Sequence, residues 1–305
     1  TSGSYTNADY IKFVASDNDS GIANCFVRMP NSSYYTYYAS GTQLATEGLY
    51  YFYATDKSGN STNTVSITLD KTKPTGVLYA GGSSVSSGTA TNAAYIKFIP
   101  FDAIGLANVY VKKPGSSNYE NYTSGTQLTA EGRYDFYSVD KAGNVSQTYT
   151  ITLDRQIPVA QLYVDDNPMD NHSYTNGGHI RFECDADKCY VMTPGNDSFS
   201  EYISGMEYYK PGKYVFYGEN ESGTQTQRYS IVIDHTIKSV ELHNVEGGKT
   251  DGDVVLSWVD GDPDIYAPIK SVTINGKPYT NGTVIYTIDT GVYSIVVEDM
   301  AGNTW

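Results

Sequence analysis

Apolar residues along this chain recur at every second position over short stretches, and no stretch sustains a 3.6-residue period. Between Glu47 and Asn60 the alternation sets Tyr50, Phe52 and Ala54 on one face and Tyr51, Tyr53 and Thr55 on the other. That pattern predicts a strand with one buried face. The Asp-Lys-Ser-Gly-Asn run that follows, residues 56–60, reads as a hairpin turn in which Gly59 supplies the left-handed residue. Shorter runs predict further strands: Tyr10–Phe13 with Ile11 and Phe13 on one side, Cys25–Met29 stopped by Pro30, and Val65–Leu69 closed by Asp70.

The pattern repeats. The stretch beginning at Glu47 returns at Glu131, Pro211 and Thr290, at spacings of 84, 80 and 79 residues. Its inner positions recur as Tyr134, Phe136, Ser138, then Tyr214, Phe216, Gly218, then Tyr293, Ile295, Val297. Four copies of one unit follow from this, with boundaries predicting repeats over 1–72, 73–156, 157–236 and 237–305. The first repeat is expected to lack its opening strand. The fourth is expected to reach Trp305 where its last strand would begin, so the chain reads as a segment of something larger. The linkers are short, with Pro74 and Pro158 in the first two, which predicts a semi-rigid array on the order of 150 Å long if each strand spans roughly 33 Å.

Three motifs carry a resemblance. Tyr50-x-Phe-x-Ala-x-Asp-x-x-Gly-Asn60, the Ile-x-x-Asp ending of the first two repeats before a Pro-containing linker, and Asp19-Ser-Gly-Ile22 resemble bacterial immunoglobulin-like repeats. Such repeats belong to large extracellular or wall-attached proteins. The resemblance covers nearly the whole chain and implies an all-β fold, a tandem array of four immunoglobulin-like β-sandwich domains. It also implies an extracellular location on a bacterial cell surface, and a role as stalk, spacer or adhesin arm. Tyr50, placed just after Gly48 at the start of its strand, resembles the tyrosine corner of such sandwiches. The third repeat departs most, because Asn220-Glu-Ser-Gly-Thr224 lacks both the Asp and the Asn of the turn.

Composition narrows the partners. There are 30 Tyr against 9 Phe and 2 Trp, which suits thin sandwiches and equally suits protein- or sugar-binding faces. The net charge of −14 lies almost wholly in the last two repeats and argues against nucleic acid and anionic membrane surfaces. No run of about 18 apolar residues is present to span a membrane.

Acidic residues form the first candidate site. Asp17 and Asp19, Asp102, Asp185 and Asp187, and Asp260, Asp262 and Asp264 fall in equivalent loops of the four repeats. Immunoglobulin-like topology would bring that loop to the same end as the turn holding Asp140. The terminal Asp70, Asp154 or Asp234 of the preceding repeat enters there too. Several oxygen ligands could converge at each junction, as Ca²⁺ requires. The spacing is not that of an EF-hand, since Arg28 and Ser271 stand at the twelfth position counted from Asp17 and Asp260. The competing reading is that these carboxylates bond their own turns and the nearby Lys57 or Lys141.

Tyr34, Tyr37 and Tyr51 form the second candidate, since their equivalents in the second repeat are polar: Asn118, Asn121 and Asp135. They could stack on a glycan or anchor a host glycoprotein or immunoglobulin, or they could be surface decoration. Cys184 and Cys189 could close a hairpin disulfide, and Cys25 reads as a small buried hydrophobe. No nucleophile elbow, zincin helix, phosphate loop or zinc-type cysteine spacing is present, so no catalysis and no organic cofactor is expected. Ca²⁺ is the single candidate ligand of that kind. The functional expectation is a non-catalytic arm presenting a binding surface, or a pure spacer holding another domain away from the cell.

Overall fold

The computed structural model describes residues 2–237, 240–244, 250, 252–286 and 291–305. Among them every regular element is a β-strand. The chain divides into two compact units, Thr1–Arg155 and Gln156–Trp305.

In the N-terminal unit the strands are β1 Ser4–Thr6, β2 Ile22–Arg28, β3 Thr36–Tyr38, β4 Gly48–Asp56 and β5 Val65–Leu69, followed by β6 Thr75–Ala80, β7 Ser83–Val85 and β8 Thr89–Thr91. They continue as β9 Ile96–Phe101, β10 Leu106–Lys112, β11 Glu120–Asn121, β12 Gly132–Asp140 and β13 Tyr149–Leu153. Three sheets result, ordered β1-β5-β4-β2-β3, β11-β10-β12-β13-β8 and β7-β6-β9. Pairing is antiparallel except where β1 runs parallel to β5 and β8 parallel to β13. The first repeat therefore keeps the parallel half of its opening segment in β1, while counterparts of β6 and β7 are absent among the described residues. Its second layer is reduced to the segment around Ile11, bridged to Leu44.

The alternation in the sequence becomes two buried clusters in this unit. Tyr50, Phe52 and Ala54 pack with Ile11, Val27, Tyr38 and Leu69 in one. Tyr134 and Phe136 pack with Leu78, Phe98, Val111 and Leu153 in the other. Each fully buried aliphatic or aromatic side chain contributes about 1.5–3 kcal/mol, so these rows dominate the stability.

In the C-terminal unit the strands are β14 Ala160–Val164, β15 Asn167–Met169, β16 Ser173–Thr175, β17 Ile180–Cys184, β18 Lys188–Met192, β19 Ser200–Tyr202 and β20 Glu207–Tyr208. After them come β21 Gly212–Glu219, β22 Tyr229–Ile233, β23 Glu241–His243, β24 Val254–Ser257, β25 Ile269–Ile274, β26 Lys277–Pro278, β27 Val284–Ile285 and β28 Ile295–Asp299. Their sheets are β15-β14-β17-β20, β16-β22-β21-β18-β19, β23-β24-β27 and β26-β25-β28. Tyr214 and Phe216 fill one core with Leu162, Phe182 and Ile231. The other is smaller, built on Leu256, Val272 and Val297. Tyr293, expected on the inner face of the fourth copy, instead lies exposed before β28 begins.

Two devices recur. The hydroxyls of Tyr50, Tyr134 and Tyr214 donate to the carbonyls of Thr46, Ala130 and Lys210, four residues earlier, at 2.6, 2.7 and 2.9 Å. These are tyrosine corners. Beside each, Gly48, Gly132 or Gly212 lies flat on Pro30, Pro114 or Pro194, and a Cβ would meet the proline ring at 2.5–2.6 Å. The second device spans the sheets. Tyr122 accepts the amide of Phe98 in β9 at 3.0 Å and donates to Thr126 O at 2.6 Å. Tyr38, Tyr202 and Tyr279 repeat it on Phe13, Phe182 and Leu256.

Cys184 and Cys189 are joined as a disulfide. It does not close a hairpin, because β17 and β18 belong to different sheets, and it ties one sheet to the other. Gly218 makes room for it: a Cβ there would come 3.2 Å from Cys184 Sγ and 2.9 Å from Ala186 Cβ. Cys25 is a buried free thiol.

Candidate functional site

Asp70 follows β5, its amide donating to Thr6 O at 2.9 Å, and its side chain is 2% exposed. The loop after β9 presents Asp102, whose Oδ1 accepts the amides of Ile104 and Gly105 at 2.9 and 2.8 Å. The turn after β12 presents Asp140, whose Oδ1 accepts the amides of Ala142 and Asn144. Lys141 N donates to Gly105 O at 3.0 Å and holds loop and turn together. Asn144 then donates through Nδ2 both to Asp140 Oδ2 at 2.8 Å and to Asp70 O at 2.9 Å.

The result is a carboxylate triad. One oxygen from each of Asp70, Asp102 and Asp140 lies within 4.8 Å of the others. Asp70 Oδ1 accepts the amide of Thr72 at 3.1 Å, while its buried Oδ2 has no hydrogen-bond partner. Burial, reinforced by the charges of Asp102 and Asp140, pushes the Asp70 carboxyl above its ordinary range. None of the ion pairs among the described residues reaches the triad. The Lys141 ammonium lies over the ring of Tyr5 instead.

The remaining acidic residues do not assemble in this way among the described residues. Asp234 holds the position of Asp70, with its carbonyl clamped by Asn303 Nδ2 at 2.9 Å. Its Oδ2, however, accepts the amide of Ala267 at 2.7 Å, and its Oδ1 the amide of Thr236. Asp260 accepts the amide of Ile269, Asp262 that of Asp264, and Asp264 pairs with Lys213 at 2.7 Å. Asp185 accepts the amide of Val159 and Asp187 that of Glu221. Asp154 closes β13 by donating its amide to Thr91 O. The metal expectation thus narrows to Asp70, Asp102 and Asp140. Asp185, Asp187, Asp234, Asp260, Asp262 and Asp264 bind main-chain amides or Lys213, and the amides on Asp185, Asp187 and Asp234 stand 26, 34 and 33 residues away instead of in the same turn. Sequence position alone did not separate Asp70 from Asp234, because the separating group is a main-chain amide.

Tyr37 and Tyr51 lie on the outer face of the β1-β5-β4-β2-β3 sheet, and Tyr34 lies in the segment before β3. Tyr37 is 77% exposed, its ring tilted by 32° against Phe26 at 5.1 Å, and Phe26 stacks at 4.7 Å on Tyr53. Tyr35 meets Tyr53 edge-on at 4.9 Å. Tyr34 stands free at 69% exposure, whereas Tyr51 is covered by the Arg28 guanidinium, 3.9 Å from its ring centre. The trio Phe26–Tyr53–Tyr35 has equivalents in Tyr110–Tyr137–Tyr119 and Tyr190–Tyr217–Phe199. An outer aromatic row is therefore a shared feature, and Tyr37 is the addition in the first repeat. At the place of Tyr51, Asp135 is buried between Lys112 and Arg133, at 2.6 and 2.9 Å.

No family model matches the chain, and no curated protein matches it. Solved structures similar in trace include the following two. The N-terminal eight immunoglobulin domains of Down Syndrome Cell Adhesion Molecule align at 11% identity and a TM-score of 0.26, over 99% of this chain and 51% of that one. The Bacteroides ovatus mixed-linkage glucan utilization locus protein SGBP-B, solved with a mixed-linkage heptasaccharide, aligns at 9% identity and a TM-score of 0.19, over 97% of this chain and 86% of that one. The chain thus spans about half the length of the first. At such scores the strand order and register above, and not the likeness, define the fold.

Proposed function

We infer that this chain is a non-catalytic, extracellular segment of a bacterial surface protein. It comprises four tandem immunoglobulin-like domains, over 1–72, 73–156, 157–236 and 237–305, and acts as a stalk. The observation that carries the reading is the clamp of Asn144 on Asp70 O. It binds the end of one repeat to the turn of the next through buried main-chain contacts, where a flexible tether would leave the linker solvated. The linker is held further by Lys71, whose amide donates to Glu47 and whose ammonium reaches Ala45 O at 3.1 Å. Native trypsinolysis tests it: the bond after Lys71 should resist cleavage for as long as the repeats stay folded. Rapid cutting there would leave a chain of loosely tethered domains and refute the stalk.

A second reading, recognition of a host glycoprotein, immunoglobulin or glycan by the first repeat, is favoured by the exposed Tyr34 and by Tyr37, whose ring rests against Phe26. A ring already held against a neighbour, as Tyr37 is by Phe26, loses little entropy on binding a sugar or protein surface. Pull-down from host secretions with the chain and with a Tyr34→Ser, Tyr37→Ser variant tests it. Capture that the double substitution abolishes supports recognition, and equal capture, or none, removes it.

A further inference from the structure

We propose that Asp70, Asp102 and Asp140 hold one Ca²⁺, and that the equivalent junction at Asp234 holds none because a main-chain amide does the ion's work there. The two positions form a natural comparison within one chain. Both terminal aspartates are 2% exposed, and both carbonyls receive the turn asparagine. At Asp234 the second carboxylate oxygen accepts Ala267 N–H. At Asp70 the same oxygen is buried and unpartnered, with two further carboxylates beside it. A buried carboxylate oxygen left without hydrogen bond or counter-charge is costly to a fold. A cation satisfies all three carboxylates together.

The ligand class follows from the donors. The group contains only oxygens, with no His or Cys, which disfavours zinc and copper and suits a hard divalent ion. Two ligands on opposite sides of a Ca²⁺ at about 2.4 Å stand about 4.8 Å apart, and the triad lies within that span. Ca²⁺ tolerates irregular coordination completed by water or carbonyls, whereas Mg²⁺ demands near-ideal octahedral geometry at shorter distances. The loop amides already fix one oxygen of Asp102 and one of Asp140, so the site is partly ordered before binding.

The inference rests on the junction alone and stands whether or not the chain is a surface stalk. The test is calorimetric titration of the whole metal-free chain with Ca²⁺ up to about 1 mM, the range of extracellular modules, with Mg²⁺ as comparator. Expected are one Ca²⁺ per chain, a higher melting temperature with Ca²⁺, and binding at least about tenfold weaker in D70N and D102N, with D234N unchanged in stoichiometry. In chelator D70N should be no less stable than the parent chain, since it removes a buried charge that lacks a partner. That arm separates a lost site from a misfolded variant, and circular dichroism of D102N provides a second check. No Ca²⁺ uptake by the parent chain, uptake unaffected by both D70N and D102N, or Mg²⁺ bound as tightly as Ca²⁺ would overturn the proposal.

Discussion

Asn144 donates from its side-chain amide to the backbone carbonyl of Asp70, a residue 74 positions earlier, at 2.9 Å. The last residue of a hairpin turn thus closes its own turn on Asp140 and also fastens the preceding strand end. Asn303 does the same to Asp234 across 69 residues. In the third repeat Asn220, replacing the turn Asp, reaches Gln156 O at 3.1 Å.

Asn144→Ala should therefore cost about 1–3 kcal/mol, the range for leaving a buried polar partner unsatisfied. Asn60→Ala, at the equivalent but exposed turn where the side chain meets only Asp56, should cost about 0.5–1 kcal/mol. Urea denaturation of the two variants checks the difference. Equal losses would mean the clamp adds nothing beyond the turn.

The sheet-spanning tyrosines give a second outcome. Tyr122→Phe strands the buried Phe98 amide and should cost about 1–3 kcal/mol. Tyr134→Phe removes only a bond to Ala130 O and should cost about 0.5–1.5 kcal/mol. Burial pushes the hydroxyls of Tyr202 and Tyr214 up to about 12. The neutral form is the one the fold favours, so this stability is present below about 10 and is lost as pH rises toward 12. Absorbance titration should show those phenols ionising late or only with unfolding.

Acid stability turns on Asp135. Burial alone would raise its carboxyl, but the hydrogen bonds and charges of Lys112 and Arg133 outweigh burial and hold it below the ordinary range. Its contribution is therefore present above about 3.9 and lost as pH falls through its lowered folded value. Lys112 is raised by its bond to Asp135, so its contribution persists to about 10.4 and fades above that. Denaturation midpoints of Asp135→Asn should fall less steeply between pH 5 and pH 2, about two Asp pKa spans, than those of the parent chain. An unchanged slope would remove Asp135 from the account.

The disulfide closes a short loop, so the chain-entropy account gives it roughly 2 kcal/mol. Cys184→Ser with Cys189→Ser should lower stability by about that amount and make it insensitive to dithiothreitol. Gly218→Ala should be destabilising by about 1–3 kcal/mol while the bond is intact and less so without it, because the added methyl meets Cys184 and Ala186. Double-mutant analysis measures that coupling.

Much of the fold was legible because period-two alternation and an 80-residue return are properties of covalent order. Tyr50, Phe52, Tyr134 and Phe136 were readable as inner-facing for that reason. Tyr293 was not, because its copy begins its strand later. The inter-sheet role of Cys184 also escaped, since five residues of separation look like a hairpin until the strands are seen in different sheets. For the junction, residue type brought Asp70, Asp102 and Asp140 together on paper but brought Asp234 and Asp260 equally. What distinguishes them is the position of Ala267 N–H, a group every residue but proline carries and no sequence pattern marks.

The parallel pairing of β1 with β5, β8 with β13 and β16 with β22 has a mechanical consequence. In each, an opening segment and the closing strand point the same way, so a pull on the chain from both sides runs along the strands. Their hydrogen bonds then bear load in shear, all together, instead of opening one after another from an end. Force would have to break each parallel patch as a whole before that copy could lengthen.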